Sequence, residues 1–194
     1  RSTDNGVTWA ALPRGLNSGA TNVGFTSVAA NGDVWVAVAQ NGYASRSTDN
    51  GETWTALTKG LNCGLETAIF NSISANGDTW VAVTSAGWAS RSTDNGLTWV
   101  ALPQGLNSGS TNTVFKSIAN DGNSTWYTAG DDSVLYAAMS TDDGATWFRP
   151  EYTTYYNTDT YSIIYNTVTS EWLAAGTAYD GVGANILKAK GGTE

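Results

Sequence analysis

Histidine is missing from all 194 residues, and cysteine and methionine occur once each, as Cys63 and Met139. Without histidine the chain lacks the commonest general base near neutral pH and the commonest nitrogen ligand for metals. A single cysteine excludes an internal disulfide. Cys63 stands in G-L-N-C-G where two related segments read G-L-N-S-G (15–19 and 105–109), so it reads as a serine-like loop residue. Basic residues are scarce as well: nine Lys and Arg face 17 Asp and Glu, giving a net charge of −8. Phosphate neutralisation needs clustered cations, so no nucleic-acid partner is expected, and an anionic membrane surface is disfavoured for the same reason. No apolar run approaches the roughly 20 residues that span a bilayer, so no membrane insertion is expected, and no signal peptide is visible. No sustained helical period occurs either. The chain opens on Arg1 inside a repeat, which reads as a processed product or a piece of something longer. Abundant Ser, Thr, Asn, Gly and Ala with little Lys suits an extracellular or virion-surface protein.

What is present is repetition. The string S-T-D-N-G-x-T-W occurs at 2–9, 47–54 and 92–99, and a variant, S-T-D-D-G-A-T-W, at 140–147. Its tryptophans Trp9, Trp54, Trp99 and Trp147 are 45, 45 and 48 residues apart. A period of this size signals a propeller or solenoid. Two further series run in step: Phe25, Phe70, Phe115 and Tyr161, and Trp35, Trp80, Trp126 and Trp172, each inside a β-rich run. A third strand follows near Tyr43, Trp88, Tyr136 and Ile186, and a fourth carries the tryptophan of the repeated string. Asn31-Gly32, Asn76-Gly77 and Asp121-Gly122 read as two-residue hairpin loops with both residues at positive φ.

Each unit is therefore a four-stranded antiparallel meander of about 45 residues, the size of a propeller blade. The fold class read from the sequence is all-β, a β-propeller with four blades in this chain, standing alone or as part of a larger propeller. The domain reading is a single propeller over 1–194, with repeats at 13–57, 58–102, 103–150 and 151–190, closed by 1–12. In that closure Thr8–Leu12 supplies the missing fourth strand of the last blade, although 189–194 compete for the place of 1–4.

The repeated string has a structural explanation at each position. The carboxylates of Asp4, Asp49, Asp94 and Asp142 can accept hydrogen bonds from amides of their own turn. Gly6, Gly51, Gly96 and Gly144 supply a positive φ. The hydroxyls of Ser2, Ser47, Ser92 and Ser140 can bond across the turn, and the tryptophans bury a large ring. The string resembles the Asp-box, or bacterial neuraminidase repeat, a hairpin between the third and fourth strands of propeller blades. That resemblance covers nearly the whole chain and implies a fold more than a function. Asp-boxes occur in sialidases, other glycoside hydrolases, sorting receptors, photosystem assembly factors and phage tail proteins.

A sialidase-like site needs three arginines converging on a carboxylate. The chain has Arg1, Arg14, Arg46, Arg91 and Arg149. Arg1, Arg46 and Arg91 are one repeat position beside the Asp-box, which the resemblance puts at the blade periphery. The F/Y-R-I-P motif of sialidases is absent. Other glycosidases need two facing carboxylates, and no spacing pairs any two of Glu66, Asp131, Asp132, Asp159, Glu171 and Asp180. The turns 120–123 and 141–144 lack alternating calcium ligands. No catalytic residue, metal or cofactor is expected.

Loops carry function in rigid repeat scaffolds. Three inter-blade loops are near copies around Asn17, Asn62 and Asn107, whereas 150–160 diverge, as do the turns at 131–133 and 178–182. Divergence gathers Tyr152, Tyr155, Tyr156 and Tyr179 with Asp131, Asp132 and Asp180 as the candidate ligand-binding residues, since tyrosines suit sugar faces and protein partners. Equivalent weak sites at the three asparagines are a second possibility, useful against a repeated glycan. The functional reading is a non-catalytic interaction or surface-display module for glycan or cell-surface recognition. Alternatives are a fragment of a sialidase-like glycoside hydrolase with its catalytic residues elsewhere, and a structural part of a virion appendage or extracellular assembly. Partners are a glycan or protein ligand, with further domains of a longer chain or a homo-oligomer.

Overall fold

The computed structural model describes residues 1–131, 135–150, 158–178 and 184–190, which contain fourteen β-strands and no α-helix. The first sheet is β1 (Phe25–Asn31), β2 (Val34–Ala39), β3 (Ala44–Ser47) and β4 (Thr55–Ala56) in sequence order, all antiparallel. The second repeats it as β5 (Phe70–Asn76), β6 (Thr79–Thr84), β7 (Ala89–Ser92) and β8 (Val100–Ala101). The third has β9 (Val114–Asn120), β10 (Trp126–Asp131) and β11 (Leu135–Ser140), with its fourth strand reduced to a bridge between Met139 and Phe148. The last has β12 (Thr158–Asn166), β13 (Glu171–Ala178) and β14 (Ala184–Lys190). The protein is thus built of antiparallel propeller blades, with β1, β5, β9 and β12 side by side as the inner strands.

The second strand of the second blade, β6, lies between the cores shared with the blades on either side, which is why it reads as a short apolar run. Thr79–Thr84 is buried at every position. Two cores lie between sheets. Val36, Val38 and Ala44 of the first blade pack with Phe70, Ile73, Trp80 and Trp99 of the second. Val81, Val83 and Ala89 pack in the same way with Phe115, Ile118, Trp126 and Trp147.

Polar staples join the blades at repeat positions. The hydroxyls of Ser27, Ser72 and Ser117 accept the amides of Ile73, Ile118 and Ile163 at 3.2–3.3 Å. The guanidinium Nε of Arg46 donates to the Asn95 carbonyl and that of Arg91 to the Asp143 carbonyl, both at 2.9 Å.

Two details differ from the sequence reading. Asn31 pairs with Val34 and Asn76 with Thr79, so the two-residue loops are Gly32-Asp33 and Gly77-Asp78. Only the glycines have positive φ, at 56° and 54°, as in a type II′ turn. The asparagines stay in the strand because their amide groups donate to carbonyls of the next blade's turn, at Gly77 and Asn123. At the third site the loop is longer, 121–125, and the Asp121 carboxylate accepts the amides of Asn123 and Thr125.

The second difference concerns Tyr161. Ile163 bonds to Ser117 as Ile118 bonds to Ser72, so the position equivalent to Phe115 is Thr160, and Tyr161 matches Lys116. Tyr161 is half exposed, whereas Phe70 and Phe115 are fully buried. A one-residue slip changes the face of a strand residue, and a 46-residue spacing hid it.

At the start of the chain, Arg1 and Ala10 exchange both backbone hydrogen bonds at 2.8 Å, making residues 1–10 a hairpin of their own. β14 has β13 as its neighbour in the sheet order of the described residues.

Candidate functional site

Each Asp-box is closed by one set of short-range bonds. In the third copy the Ser92 hydroxyl donates to Asp94 Oδ1 at 2.8 Å and accepts the Gly96 amide at 3.0 Å. The Thr98 amide donates to Asp94 Oδ1 at 2.8 Å and its hydroxyl to Oδ2 at 2.6 Å. The Trp99 indole donates to the Gly96 carbonyl at 3.0 Å. Asp49 and Asp142 make the same bonds, and so does Asp4. The box glycines have φ between 76° and 86°, as the turn requires.

These donors stabilise the ionised carboxylates. Bonds from the Thr8 hydroxyl and amide and the Ser2 hydroxyl hold Asp4 down to about 2. Asp49 lies below the usual carboxylate range through Thr53 and Ser47. Burial raises Asp142, but the bonds from Thr146 and Ser140 outweigh it and leave the group at about 2. Asp94 is likewise lowered against its burial. An acid held this far down, with both oxygens occupied, is a poor proton donor near neutral pH. The boxes are hairpin closures.

The residue after the box aspartate carries a role that the sequence reading missed. Asn50, Asn95 and Asp143 each accept the indole N–H of the blade's other tryptophan, Trp35, Trp80 or Trp126, at 3.0–3.1 Å. Their backbone carbonyls at 95 and 143 receive the inter-blade arginines. The signal was available: the D-N-G asparagine and the second tryptophan series keep the same period.

Asn17, Asn62 and Asn107 are structural as well. Their side-chain amides donate to the carbonyls of Trp54, Trp99 and Trp147 at 2.9–3.1 Å, tying each inter-blade loop to a box. Each of these amides thereby uses one donor within the scaffold. Cys63 is fully buried with its Sγ near the Leu65 carbonyl, and burial pushes its thiol up, so it fills the place of Ser18 and Ser108. Arg46 and Arg91 sit at successive blade interfaces, and Arg1 lies 3.7 Å from Glu52. These three arginines are distributed around the scaffold and converge on no common point.

Of the candidate ligand residues, Asp131 ends β10, paired with Val114 and Leu135. Asp132, Tyr152, Tyr155, Tyr156, Tyr179 and Asp180 lie outside the described residues. Among the described residues no group of His, Cys, Asp and Glu is arranged to hold a metal, and no helix is long and apolar enough to cross a membrane. A cleft of about 690 Å³ lies on the first blade, with Trp9, Leu12, Phe25, Val28 and Trp35 forming much of its lining.

A family model described as BNR/Asp-box repeat matches residues 45–56. No curated protein sequence matches the chain. Among solved structures, the chain is similar to a GH74 xyloglucanase from Xanthomonas campestris, with a TM-score of 0.67 and 15% identity over 93% of this chain and 31% of that one. It is also similar to YCF48 from Cyanidioschyzon merolae (TM-score 0.57, 17% identity, 90% of this chain and 53% of that one). A structure of YCF48 bound to a D1 peptide matches with a TM-score of 0.53 and 18% identity over 83% of this chain and 51% of that one. The chain therefore spans about half or less of the length of these proteins. The likeness establishes a shared propeller fold.

Proposed function

We propose that this chain, an Asp-box β-propeller, is a non-catalytic interaction module that binds a glycan or protein surface through its divergent loops. The observation that carries the reading is the engagement of the repeated polar residues. Box carboxylates, loop asparagines and the arginines at 46 and 91 are each bonded within the scaffold. Ligand recognition then falls to the segments that break the repeat, whose candidate residues are Tyr152, Tyr155, Tyr156 and Tyr179 for rings and hydroxyls and Asp131, Asp132 and Asp180 for charge. A solved propeller of this fold, YCF48, is bound to a peptide, which supports a protein ligand alongside a glycan. An extracellular or virion surface suits the composition.

The test is a glycan array and a peptide array run with the wild-type chain and with Tyr155→Ala and Tyr156→Ala. Binding that is lost in the variants supports the tyrosine face. Binding unchanged by both moves recognition elsewhere on the molecule.

A second reading is favoured by the likeness to the GH74 xyloglucanase, of which the chain covers only 31%. Here the chain contributes blades to a glycoside hydrolase whose catalytic carboxylates lie outside it. Assaying the purified chain on xyloglucan separates the two: hydrolysis by the chain alone excludes a non-catalytic module.

A further inference from the structure

The hairpin between the first two strands is built alike in the first three blades except at its tip. In the first two the tip is Gly32-Asp33 or Gly77-Asp78, and the asparagine before it, Asn31 or Asn76, donates its side-chain amide to the next blade. The third blade has one residue more, Gly122-Asn123-Ser124 between Asp121 and Thr125, whose backbones are bonded at 3.1 Å. Backbone groups keep the scaffold bonds there. The Asn123 carbonyl takes the Asn76 amide as the Gly77 carbonyl takes that of Asn31. The Ser124 carbonyl takes the Asp143 backbone amide at 2.9 Å, as those of Asp33 and Asp78 take Asn50 and Asn95. That leaves the Asn123 carboxamide outside the inter-blade bonding that engages Asn31 and Asn76.

Asn123, Ser124 and Thr125 spell N-S-T, the acceptor pattern for an N-linked oligosaccharide. Nowhere else in the chain does an asparagine have Ser or Thr two positions on. In a chain rich in Ser and Thr the triplet alone says little, and its placement carries the inference. Gly122, Asn123 and Ser124 are exposed and Thr125 is half-buried. The second and fourth blades flank this one within the chain, so the exposure is measured with both neighbours in place. A Cβ built on Gly122 would meet no atom within 4 Å, so the tip stands in open space. The Asp121 carboxylate accepts the amides of Asn123 and Thr125 at 2.8 and 3.1 Å and fixes the turn that presents the triplet.

We propose that Asn123 is the acceptor of an N-linked oligosaccharide. The inference rests on the extracellular reading above, because the donor, an oligosaccharide on a lipid diphosphate, is used on the secretory side of a membrane. The Asn123 Nδ2 attacks the anomeric carbon of the donor sugar. A C–N bond forms, the C–O bond to the diphosphate breaks, and the lipid diphosphate leaves with the electron pair. The displaced amide proton passes to a base of the transferase, which recognises the triplet by its Thr125 hydroxyl. The glycan leaves from the end of the blade that carries the Asp-box, where Ser124 is bonded to Asp143. Asp131 lies at the other end of β10, roughly 17 Å away at the rise of a strand. The modification therefore covers the box end and leaves the end at Asp131 open to a ligand.

The test expresses the intact chain behind a cleavable secretory leader in insect cells, with chain from the medium and from the secretory membranes analysed alike. Its mass is expected to exceed the 20.3 kDa of the polypeptide by one oligosaccharide, which a peptide N-glycosidase removes to leave aspartate at 123. Asn123→Gln and Thr125→Ala are expected to abolish the gain, and Thr125→Ser to keep it. The glycosylated and Asn123→Gln chains are expected to share one urea midpoint. A wild-type chain without the oligosaccharide overturns the proposal and leaves the extracellular reading standing. So does a gain that persists in Thr125→Ala, or a urea midpoint lowered by the glycan. Fractionation of the source cells tests the extracellular reading by itself: a native chain confined to the cytosol overturns that reading and the modification with it, whatever the leader-directed chain shows.

Discussion

The first and third Asp-boxes have the same residues in seven of eight positions, the same bonds and different surroundings. Trp9 and Trp99 each donate to the box glycine carbonyl at 3.0 Å. Yet Trp9 is 74% exposed and Trp99 only 5%. The hairpin therefore closes on local hydrogen bonds alone, while burial of its tryptophan needs the inner strands of its own blade and of the blade before. In the third box, Gly96 and Trp99 rest against Val36 and Trp80. In the first, Gly6 has only its own Trp9 within reach. One motif thus combines a local closure with a tertiary anchor, and the molecule shows the closure both with and without that anchor.

The tryptophans give the widest expected separation. Trp99→Ala should lower unfolding free energy by about 3–5 kcal/mol, the range for an aromatic ring removed from a core. Trp9→Ala should change it by no more than about 0.5 kcal/mol, as an exposed substitution does. Urea denaturation measures both, and equal effects would dissolve the contrast.

The glycines come next. A methyl group at Gly96 meets Val36 Cγ2 at 2.8 Å and a φ of 76°. Gly96→Ala should therefore cost roughly 1–2 kcal/mol for the left-handed backbone and roughly 1–3 kcal/mol more for overpacking. Gly6→Ala carries only the backbone cost, confined to an exposed hairpin, so the global urea midpoint should stay where it is.

The smallest separation is in acid. Both Asp142 and Asp4 are lowered to about 2, from an ordinary value of 3.8. A lowered folded-state value stabilises the fold above about pH 4, and the contribution is lost as pH falls towards 2. Asp142→Asn should flatten the loss of thermal stability between those values. Asp4→Asn should leave the global profile unchanged and loosen only the hairpin, seen as faster exchange of the Thr8 amide.

The blades were legible because the repeat speaks four times. Tryptophan spacing, glycine positions and the run of apolar residues in β6 all specified four-stranded meanders, and local turn chemistry specified the box bonds. The register at Tyr161 was not legible, since 46 residues fit either of two alignments and only the Ser117–Ile163 bond selects one. The hairpin loops were read one residue early because Asn31 and Asn76 are used across blades, a contact no local pattern reveals. The site reading rests on loops that break the repeat, where periodicity gives no guidance to position.

What the sequence by itself determined is each S-T-D-N-G-x-T-W hairpin, for its hydrogen bonds join residues at most four apart and form wherever the string occurs. What only the tertiary structure decided is which of these hairpins is anchored. Burial of a tryptophan depends on the faces brought against it, and at Trp9, beside the open face of Val28, they are not supplied by the described residues of this chain.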